Sequence, residues 1–290
     1  MSDITQRPVI MLGCQRSGTT YLAKVLGLHE KGFFWSEATV FRYMVLFFWN
    51  YIRDRGSFRQ PRFMEVLHML KAPRGMPIDA QGEKILASFE RTLLGYFNDG
   101  RLEAWADKGQ KREFLQALSY DTMTLGASEV AYWGDKYPEY VFQIPELVDL
   151  FPEARFVFVI RNPYAVAESL VRHLNPRDRV AGGMRFTLKD CWDQWFDWNR
   201  VWIENHELIP AENRFVIRYE EFLLDTGRVM GDLSAFMDVD LTASPGIRGE
   251  LKAIQPHNLD KWKKTDVYEQ LRHMPVAPDQ VKVFDYYGGL

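Results

Sequence analysis

The chain of 290 residues has only two cysteines, Cys14 and Cys191, with no C-x-x-C pair and no Cys/His cluster at metal-ligand spacing. A disulfide framework and a structural zinc are therefore not expected, and a reducing compartment suits this composition. Long apolar runs are missing too. The longest, Met44 to Trp49, falls far short of the ~20 residues that a membrane-spanning helix needs. Met1 to Arg7 is polar and leads almost at once into an apolar strand, so no signal peptide is expected. Neither sign of charge dominates: 36 Lys and Arg against 39 Asp and Glu leave a net −3, which argues against nucleic acid or another general polyanion as partner. No internal repeat or low-complexity linker divides the chain. With 47% hydrophobic residues it has core enough for a single domain spanning residues 1–290.

What is present begins at Pro8. Val9 to Leu12 is an apolar run ending at Gly13, the pattern of a short buried strand, and Ser17-Gly18-Thr19-Thr20 then combines close backbone approach with hydroxyls suited to a helix start. A helix N-terminus aims free amide N–H groups and the positive end of its dipole at one point, where a phosphate or sulfate binds. Arg16 adds a charge able to grip oxyanions. The spacing Gly13-x4-Gly18 is that of a Walker A loop, but the lysine that should follow the second glycine is absent and Thr19 stands there. The loop thus reads as a phosphate cradle adapted to a ligand without a triphosphate tail, and no metal is expected. Alternatively, it simply joins a strand to a helix.

Further on, the pattern predicts a helix from Tyr21, a strand at 32–35, and a helical stripe from Glu37 to Arg53 carrying Phe41, Met44, Val45, Phe48, Tyr51 and Ile52. Loops are expected at 53–62 and 71–77, and helices at 62–70, 81–97 and 111–126. This stretch, roughly 55–128, reads as a helical cap beside the sheet, and acceptor selection is assigned to it because specificity usually lies outside the scaffold. Strands follow at 129–136, 155–160 and 213–218, with Pro138 and Pro163 opening helices. Four tryptophans, Trp192, Trp195, Trp198 and Trp202, recur at spacings of three and four in a helix over 187–208, which is a packing face. Alternating strands and helices predict an α/β fold, a P-loop-like parallel sheet flanked by helices on both faces. Gly13–Thr20, Lys136, Arg161 and Tyr219 all fall at strand carboxyl ends, where such sheets bind ligands.

These residues carry a resemblance. Cys14-Gln15-Arg16-Ser17-Gly18-Thr19-Thr20-Tyr21-Leu22 resembles the 5′-phosphosulfate loop of sulfotransferases that use 3′-phosphoadenosine 5′-phosphosulfate (PAPS), leaving 3′-phosphoadenosine 5′-phosphate (PAP) as product. Arginine at position 16 is similar to the protein-tyrosine and carbohydrate branches, whereas the small-phenol branch usually has lysine there. The second signature, Arg161-Asn162-Pro163 leading to Ser169, follows its strand, and Tyr219-Glu220-Glu221 resembles the family's Tyr-Glu-Asp/Glu element. The tail 255–262, with Lys261 and Trp262, resembles the late basic loop that covers the nucleotide.

The resemblance implies that Arg16, Ser17, Gly18, Thr19, Thr20 and Tyr21 hold the 5′-phosphosulfate end. Arg161 and Ser169 would take the 3′-phosphate, with Tyr219, Lys261 and Trp262 completing the cofactor site. Arg16 and Lys136 would stabilise the departing phosphate, as positioning and charge do in phosphoryl transfer. The histidine base of the small-phenol branch would fall at Pro138; Glu37, after the second strand, instead resembles the glutamate base of the protein-tyrosine and some carbohydrate branches, and a carboxylate accepts a proton well if partly buried. Against that reading, Glu37 is a first-turn acid capped by Ser36, and Lys136 pairs with Asp135. The implied activity is sulfuryl transfer to a hydroxyl or amine on a small-molecule, glycan or peptide acceptor. Golgi members of the family carry a membrane anchor; none is recognised here, and a cytoplasmic protein with no membrane partner is expected. Two other readings stand beside it. A nucleotide-dependent kinase would want lysine at position 19 and an acidic magnesium ligand where Arg161-Asn162-Pro163 lies. A non-catalytic PAP/PAPS-binding protein would not need Arg16, Glu37 and Lys136 together.

Overall fold

The computed structural model describes residues 4–38, 80–101, 110–174, 186–254 and 259–287. The helices expected at 37–53 and 62–70, and the loops at 53–62 and 71–77, lie largely or wholly outside the described residues, as does the start of the 255–262 tail.

Five parallel strands make the sheet: β1 (Val9–Gly13), β2 (Gly32–Ser36), β3 (Tyr132–Lys136), β4 (Arg155–Ile160) and β5 (Arg214–Arg218), in the order β2-β3-β1-β4-β5. The third strand begins at Tyr132 rather than at the expected 129, because its ladder with β2 starts at the Gly32–Tyr132 pair. β1, β3 and β4 are buried at every position, the condition of parallel strands covered on both faces. Alternation sorts their side chains. Ile10, Leu12, Phe156, Phe158 and Ile160 join one core, and Val9, Met11, Val157 and Val159 the other.

Helices cover each face. The first core is closed by α2 (Ala80–Asn98), α3 (Lys111–Met123), α4 (Ile144–Leu150), α5 (Pro163–Leu174) and α6 (Leu188–Asn205). The second is closed by α1 (Thr19–Leu26), α7 (Tyr219–Leu224), α8 (Thr226–Met237) and α9 (Pro245–Lys252). The short α10 (Asp266–Leu271) and α11 (Pro278–Tyr286) return to the first core through Leu271 and Val283.

The tryptophan-rich helix is a packing element, as its spacing predicts. Thr187 and Asp190 form a reciprocal capping box at its start. Trp192, Trp195 and Trp202 are buried, and Trp202 stacks on Phe158 at 4.3 Å and 10°; such a ring pair adds about 0.5–1.5 kcal/mol to the area it buries. Of the expected cap, α2 and α3 are described, and Tyr96 meets Phe114 edge-on between them.

The order of strands reverses direction at β1, with β3 on one side and β4 on the other. That switch point opens a crevice at the carboxyl ends of the strands, and the loops after all five strands converge there.

Candidate active site

The β1–α1 loop departs from its sequence reading in one respect. α1 starts at Thr19, and its N-cap is Gly18 with φ 101° and no side-chain cap. The hydroxyls expected to cap the helix are thus free for other work: Thr20 Oγ1 accepts from Lys136 Nζ at 3.1 Å, and Ser17 Oγ is buried with no partner among the described residues. Gly18 is required twice over. A Cβ there would lie 2.2 Å from the Tyr219 ring, and its positive φ disfavours L side chains. Arg16 also takes a left-handed φ of 67°, a conformation that costs a non-glycine residue about 1–2 kcal/mol.

Arg16 does not point back at its own loop. Its Nε donates to Ser169 Oγ at 3.0 Å, while Arg161 Nη1 donates to the Arg16 carbonyl at 3.1 Å. Loop and β4–α5 turn are thereby one structure. Asn162 caps α5 through the N–H groups of Tyr164 and Ala165, and its own N–H donates to Glu220 at 3.0 Å. Trp195 Nε1 holds the Arg161 carbonyl at 2.9 Å. Arg161 makes no ion pair among the described residues; its guanidinium lies 5.0 Å over the Tyr219 ring and its Nε is buried without a partner. Burial lowers the Arg161 pKa and raises that of Tyr219. Such a guanidinium, desolvated but unneutralised, suits an anionic ligand.

On the other side, Lys136 is buried and its Nζ donates to Glu37 Oε1 at 2.6 Å as well as to Thr20. Glu37 is not a first-turn helical acid. Its φ is 62°, its N–H donates to the Lys136 carbonyl at 2.6 Å, and Ser36 is the last residue of β2. Nor does Lys136 pair with Asp135, because neighbours on a strand face opposite ways. Asp135 is fully buried and accepts from the Ala38 N–H at 3.0 Å and from the Tyr140 hydroxyl at 2.8 Å. Burial pushes its carboxyl up to about 7, while those hydrogen bonds and Lys136 pull it down. Sequence reading gave neither Asp135 nor Glu220 a role of its own; an acid next to Lys136 at the end of a strand was the available signal for the first.

A cavity of about 930 Å³ is walled by Arg16, Gly18, Thr19, Thr20, Tyr21, Arg161 and Tyr219 and continues past Phe34, Trp35 and Ser36 to Gln81 and Lys84 of α2; Ser17, Glu37, Lys136 and Ser169 do not line it. Tyr21 lies partly in the wall, its hydroxyl pushed up to about 12 by burial and by Glu250. The expected Lys261 and Trp262 are not in that wall. Lys261 is exposed, and Trp262 stacks over Tyr164 at 6.0 Å and 5°, behind the Arg161 turn. Cys14, also in the loop, is buried and its thiol is held far above its usual range by desolvation, so it is inert. Among the described residues no side-chain group is placed to hold a metal, and no helix is long and apolar enough to cross a membrane.

A family model described as "Sulfotransferase family" matches residues 8–243. The chain belongs to the sulfotransferase family. The matched stretch includes every residue of this site. Among curated sulfotransferases, the omega-hydroxy-beta-dihydromenaquinone-9 sulfotransferase Stf3 of Mycobacterium tuberculosis, and its Mycobacterium bovis counterpart, are 29% identical over 94 residues. That alignment covers 31% of this chain and 24% of the mycobacterial proteins, so the chain spans about a quarter of the relatives it matches. The fold is shared with the sulfotransferase domain from the curacin biosynthetic pathway (TM-score 0.58, 18% identity, 97% of each chain covered). It is shared equally with the sulfotransferase domain of the Synechococcus PCC 7002 olefin synthase (TM-score 0.57, 17% identity, 97% of this chain and 95% of that one).

Proposed function

We propose that this sulfotransferase family member transfers the sulfuryl group of PAPS to a hydroxyl or amine of an acceptor. One contact chain carries the reading: the phosphate-loop hydroxyl of Thr20, the ammonium of Lys136 and the carboxylate of Glu37 are linked in series at 3.1 and 2.6 Å. Anion cradle, buried cation and half-exposed carboxylate are the parts a sulfuryl transfer needs.

The donor fits what the residues offer. Ser17 Oγ and Arg161 Nε are buried polar atoms with no partner among the described residues, and a buried donor beside a cavity calls for a water or a ligand. The α1 N-terminus and Ser17 to Thr20 hold the 5′ end, and Arg161 with Ser169 the 3′-phosphate. Tyr219, braced against Gly18, supports both, and Trp262 backs the Arg161 turn through Tyr164. Bound there, PAPS supplies an activated sulfuryl group. Lys136 neutralises charge on the departing phosphate side, and Arg16 joins it once its guanidinium leaves Ser169. Glu37, whose side chain is 54% exposed, faces solvent where an acceptor enters and takes its proton. The acceptor is a small molecule, glycan or peptide; the mycobacterial relative's name, with its hydroxylated menaquinone, favours the hydroxyl of a bulky natural product. Phe34 and Trp35 give the cavity an apolar wall for such a group.

Calorimetry tests the donor. PAP binds wild type, ADP and Mg-ATP bind much more weakly, and Arg161→Ala removes the preference for PAP. Equal or tighter Mg-ATP binding returns the site to nucleotide-dependent phosphoryl transfer.

A further inference from the structure

β3 is buried at all five positions, and Asp135 is the one acid in it. Buried carboxylates are usually paired with cations, but Asp135 has no ion pair among the described residues, since its neighbour Lys136 points to the opposite face and bonds Glu37 and Thr20 instead. Its two oxygens have other partners: Oδ1 receives the Ala38 N–H at 3.0 Å and Oδ2 the Tyr140 hydroxyl at 2.8 Å.

The Ala38 bond lies where the chain must do something unusual. The ladder between β2 and β3 ends at the Ser36–Lys136 pair. The next N–H, of Glu37, still finds the Lys136 carbonyl at 2.6 Å, but Glu37 then turns to φ 62° and carries the Ala38 N–H away from the β3 backbone. Ala38 is 4% exposed, so that N–H cannot turn to water. The Asp135 side chain receives it. A left-handed glutamate persists only where its surroundings over-determine it, and here β3 supplies both restraints, one from the backbone of Lys136 and one from the side chain of Asp135.

We propose that Asp135 is a positioning residue of this site: by accepting the Ala38 N–H it holds the left-handed turn at Glu37 and keeps the Glu37 carboxylate on the Lys136 ammonium. This rests on the sulfotransferase reading only for the role of Glu37 in transfer. Asp135 is fully buried with both oxygens engaged by Ala38 and Tyr140, so it touches no reactant. What the turn requires is an acceptor oxygen at Oδ1, which asparagine also has.

Three variants test it: Asp135→Ala, Asp135→Asn and Tyr140→Phe. Amide exchange at Ala38 is read by NMR, PAP affinity by calorimetry, and PAPS turnover to PAP in the presence of an acceptor mixture of alcohols and phenols. In Asp135→Ala the Ala38 amide exchanges at least about tenfold faster and kcat falls at least about tenfold, as expected when one buried hydrogen bond is lost, while PAP affinity and KM for PAPS are nearly unchanged. Asp135→Asn and Tyr140→Phe keep both protection and kcat near wild type. The proposal is overturned if Ala38 protection survives Asp135→Ala, if PAP affinity falls along with kcat, or if folded Asp135→Asn loses protection or turnover as alanine does. Should Asp135→Ala not fold, asparagine and Tyr140→Phe still decide. Wild type that binds no PAP and turns over no PAPS, yet loses Ala38 protection on Asp135→Ala, sinks the sulfotransferase reading and leaves the turn assignment standing.

Discussion

The Nε of Arg16 donates to the hydroxyl of Ser169 at 3.0 Å, joining two segments 153 residues apart in sequence. The loop assigned to one end of a nucleotide and the helix assigned to the other are therefore in direct contact before any ligand is considered. Ser169→Ala removes the Arg16 partner and a donor for a 3′-phosphate together. A hydrogen bond to a charged group contributes about 1.5–3 kcal/mol, so PAP should bind roughly tenfold or more weakly. ADP, which has no 3′-phosphate, should bind as it does to wild type, and calorimetry with both ligands reads the difference.

Most of the scaffold could be read from the chain. After Arg155, β4 is uninterrupted Phe, Val and Ile, the pattern of a strand covered on both faces, and its bounds match the expectation residue for residue. The convergence of Arg16, Lys136, Arg161 and Tyr219 followed from their places at strand ends. Individual partners did not follow. Arg16 was read as a grip for an oxyanion; that its side chain, on a left-handed backbone, meets Ser169 is something no periodicity encodes. Glu37 was open between a base and a helical first turn; Lys136 and Asp135, about a hundred residues later, decide its backbone. Trp262 looked like part of a nucleotide cover, yet an aromatic side chain finds the nearest rings, here Tyr164 and Tyr268.

Lys136→Met keeps the length and the apolar stem of a fully buried side chain while deleting its charge. Glu37, half exposed, can turn its carboxylate to water, so unfolding free energy should change by only about 1–2 kcal/mol, within the usual span for a single substitution. Turnover of PAPS should fall by about 10²–10³, the loss typical when one preorganised group facing developing charge is removed. Urea titration beside a turnover assay separates the two effects; a variant with near-normal turnover would remove Lys136 from the chemistry.

Asp135 makes stability depend on pH in a definite direction. Its carboxyl is pushed up to about 7 in the folded protein by burial, against about 3.9 in an unfolded chain. Between those values the folded state holds a proton that the unfolded state has released, so unfolding becomes easier as pH rises. The contribution is fully present below about pH 4, declines through neutrality and levels off above about pH 7. Asp135→Asn has no such titration. The urea midpoint of wild type measured against that of Asp135→Asn should therefore fall between pH 5 and pH 8, and a constant difference would show that Asp135 is charged across the whole range.

Gly18→Ala tests the geometry of the cradle rather than its charge. The added methyl would meet the Tyr219 ring at 2.2 Å, on a backbone whose φ of 101° already disfavours it. Two responses are open: the ring moves off the loop, releasing its contact with Arg161, or the loop flattens and its N–H groups no longer converge. Either weakens anion binding, and PAP affinity should fall by about tenfold or more, since backbone strain of this kind costs about 1–3 kcal/mol. The double variant Gly18→Ala with Tyr219→Ala distinguishes them. If the ring clash dominates, removing the ring restores part of what Gly18→Ala lost; if the positive φ dominates, the double variant binds PAP no better than the single one. Calorimetry on the three proteins reads the answer, and an unimpaired Gly18→Ala would mean that this loop does not hold the ligand.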